Sequence, residues 1–181
     1  RQNVTRAIQH LGYDVILTCN DKDVQKAEAI VLPGVGHFQD AMHSIEEKSI
    51  KDMLKNIHDK PVIGICLGMQ LLFQHSAEGD VSGLELVPGN IVPIQSSHPI
   101  PHLGWNELKS THPLLQSDVY FVHSYQAEMS EYVVAYADYG TKIPGVIQYR
   151  NYIGIQFHPE KSGTYGLEIL NQALKGGFIN D

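Results

Sequence analysis

With 181 residues, 43% hydrophobic and 18% charged, the chain has the size and composition of one globular domain with a real core. A net charge of −7 leaves no basic stripe to neutralise phosphates, which excludes nucleic acid as a general partner, and no apolar run reaches the length of a membrane-spanning helix. Cys19 and Cys66 are the whole cysteine complement, too few for a disulfide framework, so a reducing, cytoplasmic setting is expected.

The first predicted element is a helix. Its apolar residues Val4, Ala7, Ile8 and Leu11 recur at helical spacing, and Gly12 closes it. Residues 15–19 read as a short strand, and Asp21 as the cap of a short helix over 23–28. A second apolar strand, 29–32, runs into Pro33-Gly34-Val35-Gly36. Helical periodicity resumes with Phe38, Met42 and Ile45, then continues with Ile50, Leu54 and Ile57 after a break near Lys48 and Ser49. The β-branched run at 62–65 marks a buried strand, and Leu71, Leu72 and Phe73 carry the helix that follows. Helices alternating with short apolar strands predict a parallel sheet with helices on its faces. Right-handed crossovers place the strand C-termini, and any ligand, along one edge. Both Pro33–Gly36 and Cys66 fall on that edge.

The second half changes character. Strands are predicted at 84–87, 91–94, 119–124 and 133–137, followed by a hairpin of 146–149 and 152–157. Arg150-Asn151 turns that hairpin, where Asn tolerates the left-handed conformation a two-residue loop needs. A helix over 163–175, with Leu167, Leu170 and Leu174 on one face, closes the chain. No repeat or linker divides it, so a single domain over 1–181 is expected.

Chemistry is concentrated at Gly64-Ile65-Cys66-Leu67-Gly68. Glycines two places before and after a cysteine, between a strand and a helix, form a nucleophile elbow with Cys in place of Ser. The helix starting at the thiol offers N–H groups, that of Leu67 first, to an oxyanion, and its dipole favours a thiolate. A buried structural cysteine fits the same stretch. Near the far end, a strand runs into His158-Pro159-Glu160. On an extended segment His158 and Glu160 share a face, so the imidazole can carry protons while the carboxylate orients it. Gly34-Val35-Gly36 can turn N–H groups toward an anion, whereas the Lys-Ser/Thr of a phosphate loop is missing. The ten histidines give no His/Cys/Asp set with ligand spacing, and neither metal nor other cofactor is expected.

Gly64-Ile-Cys-Leu-Gly-Met-Gln70 followed by His158-Pro-Glu160 resembles the class I (triad) glutamine amidotransferases. That resemblance implies an α/β three-layer sandwich, a mostly parallel central sheet flanked by helices, with a small antiparallel sheet beside it. It implies L-glutamine as substrate and Cys66, His158 and Glu160 as the catalytic triad. Gly34, Val35, Gly36 and Leu67 would hold the oxyanion, and Gln70, His123, Ser124 and Tyr125 the glutamine. Four stretches narrow the match: Leu32-Pro-Gly-Val-Gly36, Pro101-His-Leu-Gly-Trp-Asn106, Tyr120-Phe-Val-His-Ser-Tyr125 and Gln156-Phe-His-Pro-Glu-Lys-Ser162. They resemble the branch of the family that passes ammonia through a channel to a (β/α)8-barrel cyclase subunit in histidine biosynthesis. Trp105, Asn106, Tyr120 and Lys161 are then the expected partner contacts. Glutaminase subunits serving anthranilate or pyridoxal phosphate synthesis are the alternative. The family also opens with a strand and an Asp-Tyr-Gly-x-Gly-Asn turn; the chain starts at Arg1 without them, so that segment is expected upstream.

Overall fold

A computed structural model describes residues 3–34, 38–47 and 49–179. The first helix, α1 (Val4–His10), begins where the Asn3 side chain accepts from the Arg6 N–H at 2.9 Å and ends as Gly12 turns at φ 95°. The strand expected at 15–19 does not form. Among the described residues nothing pairs with it; Val15 packs against the core while Ile16 and Leu17 stand 70% and 82% exposed. Helix α2 (Asp21–Lys26) is capped one residue earlier than expected. The Asn20 side chain, not Asp21, accepts from the Lys22 N–H at 2.8 Å.

Next come β1 (Ile30–Leu32), α3 (Phe38–Glu47) and α4 (Ile50–Lys55). The predicted break between the two helices falls at Ser49, whose φ of 58° cannot continue a right-handed helix. Then β2 (Val62–Ile65) leads into the short α5 (Leu67–Leu71). Residues 84–87, expected as a strand, instead wrap the end of α5. The Leu84 N–H donates to Leu71 O at 2.8 Å, and those of Leu86 and Val87 to Leu72 O at 2.9 Å. A five-residue helix cannot satisfy its own terminal carbonyls, and this segment supplies the donors.

The remaining strands are β3 (His75–Ser76), β4 (Val81–Ser82), β5 (Asn90–Pro93), β6 (His102–Lys109), β7 (Asp118–His123), β8 (Tyr125–Ala127), β9 (Val133–Asp138), β10 (Lys142–Tyr149) and β11 (Tyr152–Ile155), before α6 (Gly163–Leu174). Among the described residues the main sheet has seven strands in the order β1-β2-β11-β10-β9-β6-β7. It is mixed. Pairing is parallel from β1 through β2 to β11 and antiparallel beyond. The smaller sheet runs β4-β3-β5-β8. Strand β6 was not foreseen, because Gly104 and the polar His102 and Asn106 interrupt its apolar alternation. In the β10–β11 hairpin the left-handed residue is Arg150, at φ 57°, rather than Asn151. The Asn151 side chain is used elsewhere, donating to Ile57 O at 2.8 Å and Lys60 O at 2.9 Å.

Two apolar layers sandwich the sheet. Ile63, Ile65, Val146 and Ile153 pack with α1 and α6 on one side, while Val62 and Ile147 pack with α3, α4 and α5 on the other. The strands alternate between these layers residue by residue. The tightest joint is where β2 meets α5. A Cβ on Gly64 would lie 2.3 Å from Gly68 O, and one on Gly68 only 1.8 Å from Leu32 O. Gly68→Ala must therefore push β1 away from α5. It is expected to lower unfolding stability by roughly 3 kcal/mol, the upper end of overpacking costs, measured by urea denaturation.

Candidate active site

Cys66 stands at that joint with φ 56° and ψ −116°, a conformation that costs a non-glycine residue about 1–3 kcal/mol. Its backbone is fixed on both sides: its N–H donates to Ile155 O at 2.7 Å, and its own carbonyl accepts from Met69 and Gln70. The Leu67 and Gly68 N–H groups open α5, ahead of any intrahelical acceptor. The side chain is buried, and its thiol donates to Phe157 O at 3.4 Å. Burial pushes the thiol pKa up, the nearby Glu160 carboxylate adds to this, and Lys161 works against it. The expected thiolate-favouring effect of the helix start is thus outweighed at rest: α5 is a single short turn, and the sulfur is out of water.

His158 lies just beyond β11, and its ring Nδ1 meets Glu160 Oε2 at 3.2 Å, with the two side chains 11% and 7% exposed. The second Glu160 oxygen, Oε1, is buried with no hydrogen-bond partner among the described residues. An uncompensated carboxylate oxygen is a standing negative potential beside the imidazole. The His158 backbone is clamped to β7. Its N–H donates to Tyr120 O at 2.9 Å; the Ser162 hydroxyl donates to His158 O at 2.6 Å and accepts from the Tyr120 N–H at 2.9 Å.

A cavity of about 380 Å³ opens over the thiol, lined by Gly34, Cys66, Leu67, Gln70, Glu78, Val122, His123, Ser124, Tyr125, Gln156, His158 and Lys161. Most residues singled out from sequence therefore meet on one wall. Val35 and Gly36 lie outside the described residues. Gly34 is placed: a Cβ there would sit 2.8 Å from Gly68 N, so the loop after β1 packs directly on the elbow. Sequence reasoning missed Glu78 and Gln156. Glu78 carries no motif around it; its carboxylate accepts from the Phe38 N–H at 3.0 Å at the start of α3. Gln156 adjoins the His-Pro-Glu motif and accepts from Gln70 Nε2 at 3.1 Å, while the same nitrogen donates to Tyr125 O at 3.0 Å.

The expected partner contacts separate. On the β6–β7 ribbon Trp105 faces Tyr120 and Leu103 faces Val122 in register. Trp105 is 58% exposed and Leu103 60%. Asn106 does not belong with them. Alternation turns it to the other face, where its Nδ2 meets His102 Nε2 at 3.1 Å and donates to Asp138 O at 3.0 Å.

Residues 1–175 match the family described as glutamine amidotransferase class-I. The chain belongs to that family. It is 99% identical over 179 residues to the imidazole glycerol phosphate synthase subunit HisH of Staphylococcus epidermidis, covering 99% of this chain and 93% of the relative. The same subunit of Staphylococcus saprophyticus is 66% identical over 180 residues, covering 99% and 91%. Among solved structures, one described as a glutamine amidotransferase superposes with a TM-score of 0.76 at 17% identity, covering 95% of this chain and 92% of that one. A putative GMP synthase component from Thermoplasma acidophilum gives 0.69 at 19% identity, covering 94% and 84%. The fold is thus shared with these structures at 17% and 19% identity.

At the cavity wall and just behind it, burial lowers the pKa of His123 and His102 from an ordinary 6.5 to about 4. As the pH falls below 6.5 the unfolded chain protonates these rings while the folded chain does not. Stability from this pair is complete above that pH and drains away down to about 4. The urea midpoint is expected to fall across this window, with a shallower slope in a His102→Phe variant.

Proposed function

We propose that this chain is the glutaminase subunit of an imidazole glycerol phosphate synthase. It hydrolyses L-glutamine to glutamate and ammonia and delivers the ammonia to a (β/α)8-barrel cyclase subunit of histidine biosynthesis. The observation that carries this reading is the 99% identity to a HisH subunit over 99% of the chain. The cavity chemistry fits it. A cytoplasmic setting fits as well, and no described helix is long and apolar enough to cross a membrane.

Cys66 Sγ attacks the side-chain amide carbon of glutamine as its proton passes to His158. The resting thiol is held protonated by burial, so the thiolate arises only as the bond forms. The imidazolium produced then faces the Glu160 carboxylate, whose unpartnered oxygen now has a cation to stabilise. The oxyanion meets the Leu67 N–H, a preorganised donor worth roughly 3 kcal/mol of barrier. His158 gives its proton to the amide nitrogen, the C–N bond breaks, and ammonia leaves a thioester on Cys66. Water, deprotonated by His158, attacks the thioester; glutamate departs and the proton returns to sulfur. Glu78, the one carboxylate among the described lining residues, suits the α-ammonium of the substrate.

The exit follows from the same surface. Val122 and Lys161 line the cavity, and Val122 also belongs to the exposed apolar face with Leu103 and Trp105. Trp105 and Tyr120 meet edge to face at 5.9 Å and form the centre of that face. An apolar patch of this kind, with one tryptophan at its middle, suits a protein partner. Docking there presses on the strand whose Tyr120 backbone clamps His158.

Cys66→Ala is expected to abolish glutamine-dependent synthesis by the assembled enzyme while sparing synthesis from free ammonium. Loss of both would make the cysteine structural. A glutamine-mimicking electrophile should label Cys66, and failure to do so with the partner present would overturn the reading. Trp105→Ala should weaken assembly by about 2 kcal/mol, roughly thirtyfold in Kd, by calorimetry.

A further inference from the structure

His102, two residues before Gly104-Trp105-Asn106 on β6, lines neither the cavity nor the apolar face. It is 2% exposed, stacks on Phe121 at 4.4 Å and sits 4.2 Å from the Tyr139 ring. Its Nδ1 lies 2.9 Å from Nε2 of His123, a residue of the cavity wall. The donors along this line can be assigned from its two ends. Tyr125 O can only accept, so the His123 Nδ1 that meets it at 2.8 Å carries the hydrogen. With that ring neutral, its Nε2 accepts, and His102 Nδ1 donates. His102 Nε2 then accepts from the Asn106 amide, whose orientation is set by the Glu107 N–H donating to its Oδ1 at 2.8 Å. Gly104 lies between His102 and Asn106 at φ 121°, and the two side chains converge. Both rings are neutral: a proton added to His123 Nε2 would face the His102 N–H head on.

The line continues into the substrate site. Tyr125 O takes a second hydrogen bond from Gln70 Nε2, and Gln70 lies one turn past Cys66 on α5. We infer that His102, oriented by Asn106, is a positioning residue for glutamine binding, fixing His123 as its Nδ1–H tautomer and thereby the Tyr125 carbonyl and Gln70 side chain. This rests on the glutaminase reading above.

The test uses the assembled wild-type enzyme and variants of this chain. By ¹⁵N spectroscopy at neutral pH, His102 and His123 should both show the neutral Nδ1–H form. His102→Phe keeps the stacking on Phe121 but removes the donor. It should raise KM for glutamine about tenfold with kcat little changed. His102→Asn, whose amide can donate from the Nδ1 position, should bring KM back to within about threefold of wild type. A purely structural role would instead move the melting temperature and leave the KM-to-kcat split and the rescue absent. If His102→Phe does not fold, Asn106→Leu breaks the outer link from a partly exposed site and should raise KM about threefold. A folded His102→Phe with wild-type KM, or an Nε2–H tautomer at His123, overturns the inference. Wild-type enzyme that cleaves no glutamine overturns the glutaminase reading, while the spectra still report on the pair of rings.

Discussion

The backbone of Cys66 is held in a conformation that a free chain would leave at once. What holds it is close approach: Gly34, Gly64 and Gly68 let β1, β2 and α5 meet at distances where a single added Cβ would fall 1.8–2.9 Å from a neighbouring atom. Everything chemical is arranged around this contact. It raises the sulfur at the end of β2, aims the first N–H groups of α5 over it, and brings the loop after β1 against the same spot. The strain at one residue is offset by packing that two layers of core share.

His158, the proposed acid–base partner, comes to the elbow from the far end of the chain. β11 lies beside β2 in parallel register, Ile155 beside Ile65, so the residues that follow each strand emerge at the same edge. His158 is then held from the side by β7 through Tyr120 and Ser162. Three separate segments thus set the positions of Cys66 and His158, and one of them carries the exposed apolar face. A partner seated on that face would have a short mechanical route to the imidazole, through the His158–Tyr120 backbone hydrogen bond and the Ser162 hydroxyl.

Burial disfavours charge on the Cys66 thiol and on the His102 and His123 rings. On the proposed mechanism, bond formation at sulfur creates an imidazolium at His158, which faces the Glu160 carboxylate.

The sequence by itself determined the elbow, the His-Pro-Glu strand end and the amphipathic helices. Each is written in spacings of two, three or four residues, and local backbone geometry turns such spacings into position. The family match drew on the same short-range patterns. Tertiary structure decided what depends on neighbours remote in the chain. Residues 84–87 have the composition of a strand, but the carbonyls of a five-residue helix needed their N–H groups. Residues 15–19 have a strand's composition too, yet no ladder partner among the described residues. Asn151 has the composition of the turn residue, but its amide donates to the carbonyls of Ile57 and Lys60, and Arg150 takes the left-handed angle. Glu78 has no local signature, and the pairing of His102 with His123 cannot be read from the stretch that contains it; both placements come from what lies across the fold. The elbow cysteine shows the division most plainly: its position is local, whereas its protonation is set by burial under strands that only the folded chain brings together.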